Sequence, residues 1–130
     1  MGDKLLVLVV EDDMDMNELQ RELLSVHGFD SIPAYSGKEA LEILQRSGAD
    51  AVILDLMLPE MDGFETCRRL RKSNCGRPVV VMVTALDSED CRQQGFDAGA
   101  DAYFTKPFDP DEVISTLRVL IEPRAEQGPR

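Results

Sequence analysis

Apolar and polar positions alternate along this chain in two kinds of segment. Residues 5–10 (LLVLVV) form an unbroken apolar run, as expected of a strand covered on both faces. Behind it, Met16, Leu19, Leu23 and Val26 recur at helical spacing. That spacing predicts a helix closed near His27 and Gly28. A short strand is expected over 31–34. The segment SGKE at 36–39 has the form of a capping box and opens a second helix, whose inner face carries Ala40, Leu41 and Leu44. Gly48 ends it, and 51–54 (AVIL) reads as the next buried strand.

Asp62 and Gly63 then start a helix through Phe64, Cys67 and Leu70, and 78–83 is a β-branched strand. A weaker helix covers about 88–98, interrupted by Gly95 and closed by Gly99. Residues 102–105 make the last strand. Pro110 fits the first turn of a final helix that buries Val113, Ile114, Leu117, Leu120 and Ile121. This alternation predicts an α/β fold, a doubly wound and mainly parallel sheet with helices on both faces and right-handed crossovers. One domain is expected over 1–121. The stretch 122–130 (EPRAEQGPR) has no apolar stripe and reads as a disordered tail or the start of a linker.

Composition narrows the function classes. At 130 residues, 43% apolar and 30% charged, the chain suits a single globular core. A net charge of −11, from 25 acidic and 14 basic side chains, argues against direct contact with nucleic acid or an anionic membrane. The apolar run at the N-terminus is too short for a signal peptide or a membrane span, so a soluble, cytoplasmic protein is expected. Cys67, Cys75 and Cys91 show no CxxC spacing and read as reduced thiols, Cys67 as a core residue. His27 reads as a helix-end cation. Met57 and Met61 read as packing residues.

The candidate chemistry lies at strand ends. Glu11, Asp12 and Asp13 follow the first strand, Asp55 the third, Thr84 the fourth and Lys106 the fifth. In a doubly wound sheet, ligands bind outside the carboxyl ends of the strands at the switch point of strand order, so these residues should share one cleft. Clustered carboxylates repel, and a hard cation relieves them; Mg²⁺ takes oxygen ligands, keeps waters and recruits a phosphate oxygen. A carboxylate beside a metal and an ammonium is equipped to receive a phosphoryl group. Asp13 is read as a cap for the helix that follows.

The segments VVEDD at 9–13, DLMLPEMDG at 55–63, VTA at 83–85 and GFDAGADAYFTKPF at 95–108, in this order, resemble the receiver domain of two-component response regulators. The likeness spans residues 4–121 and extends to chemotaxis-type single receivers. It implies a flavodoxin-like, five-stranded sheet of order 2-1-3-4-5 with five helices. It also implies Asp55 as phosphoacceptor, Asp12 as direct Mg²⁺ ligand, Glu11 acting largely through metal-bound water, and the Met57 carbonyl completing the metal site. Thr84 would hydrogen-bond the phosphoryl oxygen and Lys106 would pair with it. Thr84 and Tyr103 would relay the switch to the surface built from the fourth helix, fifth strand and fifth helix. Lys106-Pro107 matches a bond that is cis in the family.

The implied partners are a histidine kinase or phosphotransfer protein and an output domain or target protein. The resemblance also leaves room for a phosphorylation-dependent homodimer. The domain would catalyse only its own phosphorylation and dephosphorylation. Met57 and Leu86 flank the path of the hydrolytic water in the family, and both are apolar here. An aspartyl-phosphate phosphatase would need an acid at position 57. A dinucleotide-binding domain would need a glycine fingerprint after the first strand, and none is present. A binding module that never uses phosphate stays open at this level.

Overall fold

The structure, a computed structural model, describes residues 4–73 and 76–127, with backbone alone over 122–127. Five strands, β1 (Leu6–Val10), β2 (Asp30–Ala34), β3 (Ala51–Leu54), β4 (Val79–Thr84) and β5 (Ala102–Thr105), pair in parallel in the order β2-β1-β3-β4-β5. Helices α1 (Met14–Val26), α2 (Gly37–Ser47), α3 (Gly63–Lys72), α4 (Glu89–Ala98) and α5 (Pro110–Gln127) alternate with them. The predicted fold class, strand order and element sequence are those observed. No described helix is long and apolar enough to cross a membrane.

The central strands β1, β3 and β4 are apolar up to Thr84 because both of their faces are covered, whereas edge strand β2 starts with Asp30 and Ser31 and is mostly half-buried. Successive residues of β1 point to opposite sides: Leu8 and Val10 pack toward α2 and α3, Val7 and Val9 toward Leu24 of α1 and Leu117 of α5. Each fully buried aliphatic side chain contributes about 1.5–3 kcal/mol relative to exposure. Helix starts are set locally. Asp13, Ser36, Asp62 and Ser88 are N-caps, each accepting a hydrogen bond from the amide three residues on. Glu39 answers Ser36 by accepting from the Tyr35 amide at 2.7 Å, which completes the box one residue early. Cys67 is fully buried as expected, burial pushing its thiol up to about 11. Cys75 lies outside the described residues.

Helices α1 and α5 carry features that their apolar spacing does not reveal. The α1 stripe does not face the core: Met16, Leu19 and Val26 are exposed, Leu23 is half-buried, and the buried residues are Asn17, Gln20 and Leu24. The inner face of α1 meets the ends of β1 and β2, where free backbone carbonyls call for polar partners. Helix α5 continues to Gln127, past the end of its apolar stripe at Ile121.

Candidate functional site

The site begins with a close approach. The backbone of Gly63, at the start of α3, passes so near the end of β3 that a Cβ there would lie 2.6 Å from the Asp55 carbonyl oxygen and from Leu56 Cα. Only glycine lets α3 start there, which brings the loop back over the strand end carrying Asp55. Asp55 is thereby buried, 5% exposed, with its amide bonded to the Val10 carbonyl at the end of β1. Its Oδ1 accepts from the Met57 amide at 3.0 Å and its Oδ2 from Lys106 Nζ at 3.0 Å.

Glu11 comes to the same ammonium from the next strand. Its Oε1 lies 3.1 Å from Lys106 Nζ, its Oε2 accepts from the Asp13 amide at 3.2 Å, and the residue is 3% exposed. Lys106 itself is placed by β5, its amide bonding the Thr84 carbonyl at 2.7 Å. Burial pulls the Lys106 ammonium down, but its bonds and charge contacts with Asp55 and Glu11 outweigh this and leave it raised. Burial, the largest cause, together with the Asp55 charge, pushes the Glu11 carboxyl above its ordinary range; the Asp13 amide and Lys106 offset only part. Two buried carboxylates therefore share one cation, and the site keeps excess negative charge.

The other predicted residues surround this triad. Thr84, fully buried at the end of β4, has its hydroxyl oxygen accepting from the Leu86 amide at 3.3 Å. Tyr103 is buried behind it, its hydroxyl donating to the Leu86 carbonyl at 2.7 Å. Thr84 and Tyr103 thus meet on the two backbone groups of one residue. Asp12 is exposed on the rim beside Glu11, and Asp13 caps α1 as expected. Met57 is 57% exposed, which corrects the packing role expected of it: the loop turns its side chain outward while its amide holds Asp55. Lys106-Pro107 is cis. His27 caps α1, its Nδ1 2.9 Å from the Leu23 carbonyl and its Nε2 3.8 Å from Asp111.

Among the described residues no group of three or more His, Cys, Asp or Glu is arranged to hold a metal ion by itself. The donors available are carboxylate oxygens with excess negative charge, beside a loop rich in backbone carbonyls. That set fits Mg²⁺, which binds through one or two carboxylates and keeps most of its waters, and does not fit zinc, which favours nitrogen and sulfur. Sequence reasoning missed Asn17, Arg21 and Gly63. The glycine was taken as a helix start, and its tight contact with Asp55 becomes visible only in three dimensions.

The profile of the response regulator receiver domain family matches residues 7–118. The chain belongs to that family. Response regulator MprA of Mycobacterium sp. (strain KMS) is 41% identical over 95% of this receiver and 54% of its own length. MprA of Mycolicibacterium vanbaalenii is 43% identical over 88% and 49%. The receiver spans about half the length of the curated relatives it matches. Among solved structures it is similar to the receiver domain of the Francisella response regulator 1452, at TM-score 0.87 and 33% identity over 93% of this chain and 99% of that one. It is also similar to chemotaxis protein CheY4 of Vibrio cholerae, at TM-score 0.84 and 29% identity over 90% and 98%. The protein is a signalling domain of the two-component type.

Proposed function

We infer that Asp55 is the phosphoryl acceptor of this receiver. The observation that carries the reading is the Lys106 ammonium, held 3.0 Å from Asp55 and 3.1 Å from Glu11 at the switch point of strand order. An Asp55 carboxylate oxygen attacks the phosphorus of a phosphohistidine, the P–N bond breaks, and the donor imidazole leaves as an acyl phosphate forms. Lys106 exchanges its carboxylate contact for the transferred phosphoryl oxygens, and the Thr84 hydroxyl donates to another of them. Glu11, Asp12, Asp55 and the Met57 carbonyl would hold Mg²⁺. When held there, such an ion would supply positive charge beside the phosphoryl oxygens.

The donor is a histidine kinase or phosphotransfer protein, and its docking face is the outer side of α1. There Met16, Leu19 and Leu23 join Pro107, Phe108 and Pro110 around a groove of about 460 Å³ that reaches Lys106. Asp15, Glu18 and Glu22 lie exposed along the same helix, which suits an apolar surface with a basic rim. Phosphorylation adds a charge of about −1.5 to −2 and draws Thr84 toward it. Leu86 and Tyr103 carry the change to the surface of α4, β5 and α5. The receiver catalyses only its own phosphorylation and dephosphorylation, works in the cytoplasm, and controls an output domain or target protein, with a phosphorylation-dependent homodimer as one form of output.

Incubation with Mg²⁺ and acetyl phosphate, followed by intact mass measurement, tests the chemistry. One phosphoryl adduct, absent in Asp55→Asn, is expected. An adduct that persists in that variant, or none in the parent, overturns the assignment.

A further inference from the structure

Asn17 is the one fully buried polar side chain described on α1, and it faces the strand ends. Its Nδ2 lies 3.1 Å from the Val9 carbonyl, 3.1 Å from the Glu11 carbonyl and 3.2 Å from the Ala34 carbonyl. Its Oδ1 accepts from Arg21 Nε at 2.8 Å. A guanidinium can only donate, so Arg21 fixes which end of the amide is oxygen and turns the NH₂ group onto the carbonyls. At the point where β1 and β2 both stop, this side chain supplies the donor that a further residue of strand would have supplied.

The three carbonyls bracket the turn that bears the acids. Val9 precedes it, Glu11 lies in it, and the Ala34 carbonyl also receives the Glu11 amide at 3.0 Å. The backbone of Glu11 is thus held on both sides, with its side chain directed at Lys106 and Asp55 and Asp12 placed on the rim. The Asn17 amide nitrogen bonds the Asp13 carbonyl at 2.9 Å, so the same residue ties the turn to the helix. A residue that only filled core space would not set its amide donors against carbonyls of β1, of β2 and of the turn after β1.

We propose that Asn17, oriented by Arg21, is a positioning residue that sets the cation affinity of the acidic pocket by holding the turn carrying Glu11 and Asp12. This rests on the reading of that pocket as a Mg²⁺ site. Outer contacts that orient ligands typically change metal affinity by about 10–100-fold when removed.

The experiment is calorimetric titration of the unphosphorylated protein with Mg²⁺, with Tm measured alongside. Asn17→Ala is expected to weaken binding about tenfold. Arg21→Met, which leaves Asn17 in place but unoriented, is expected to weaken it about threefold. Leu24→Ala, a buried core change in the same helix, should lower Tm and leave the dissociation constant unchanged, which separates positioning from general loss of stability. Binding by Asn17→Ala within twofold of the parent overturns the proposal. Should that variant not fold, unchanged binding in Arg21→Met overturns it equally. A parent that takes up no Mg²⁺ would instead refute the metal site.

Discussion

Gly95 lies directly against the ring of Tyr103: a Cβ at position 95 would stand 2.9 Å from Tyr103 Cδ2 and 2.9 Å from Met82 Sδ. The ring is held from its other sides by its hydroxyl bond to the Leu86 carbonyl and by the Arg92 guanidinium, 5.0 Å from its centroid. Glycine inside α4 costs about 1 kcal/mol relative to alanine, so its presence needs a reason, and the inward ring supplies one. Met82 can shift, being flexible; the ring cannot without leaving its place. Gly95→Ala should therefore destabilise by about 1–2 kcal/mol through overpacking. In a Tyr103→Ala background the same change should stabilise, by up to about 1 kcal/mol, because only the helix propensity remains. Urea denaturation of the four proteins of this cycle checks the reversal of sign.

Glu11 makes the stability of the protein depend on pH in an unusual direction. Burial and the neighbouring Asp55 raise its carboxyl above 4.5, so across that window the folded protein holds the proton more tightly than the unfolded chain. Stability then falls as pH rises from 4.5 through the raised folded value. Glu11→Gln is expected to flatten this slope and to be more stable than the parent at pH 7 without metal. Saturating Mg²⁺ should narrow the difference, since an ion that binds only the folded parent adds stability by mass action. Urea midpoints between pH 4.5 and 7.5, with and without Mg²⁺, provide the measurement.

The strands and the placement of the candidate site residues were legible for the same reason. Buried parallel strands are written as apolar runs, and Glu11, Asp55 and Lys106 stand immediately after such runs, where the fold requires its ligands to be. The facing of helix α1 was not legible because its outward side carries Met16, Leu19 and Val26, while its inward side buries Gln20 and sets Asn17 against the strand ends. A periodicity count assigns an apolar stripe to the core and has no way to know that the core side needs donors. Gly63 and Gly95 are obscure for another reason. Each is required by an atom distant in sequence or across an element, the Asp55 carbonyl in one case and the Tyr103 ring in the other.

The outward apolar side of α1 should matter to a protein donor and to little else. Met16 is 36% exposed and Leu19 49%, so the pair Met16→Ser and Leu19→Ser should change unfolding free energy by no more than about 0.5 kcal/mol each. Phosphorylation by acetyl phosphate, which needs only the cleft, should proceed at the parental rate. Transfer from a phosphohistidine protein should slow about tenfold, the effect of about 1.4 kcal/mol lost from an interface. Equal slowing with both donors would place the defect in the cleft rather than in docking.

The lifetime of the acyl phosphate should be controlled by Met57 and Leu86. Each side chain is apolar, and each backbone amide bonds a site residue: the Met57 amide to Asp55 and the Leu86 amide to the Thr84 hydroxyl. Hydrolysis needs a water aligned opposite the Asp55–phosphorus bond, and neither apolar side chain offers that water a hydrogen bond. Because Met57 is 57% exposed, a polar replacement there can reach such a water without disturbing the fold. Met57→Asn and Leu86→Glu are each expected to speed decay about tenfold, a barrier lowered by about 1.4 kcal/mol through better alignment of the water. Following the adduct by intact mass after removal of excess acetyl phosphate reads the lifetime separately from uptake. Decay no faster than the parent's in both variants would mean that water access is limited elsewhere, with the Lys106 and Thr84 contacts to the phosphoryl group as the remaining source of its persistence.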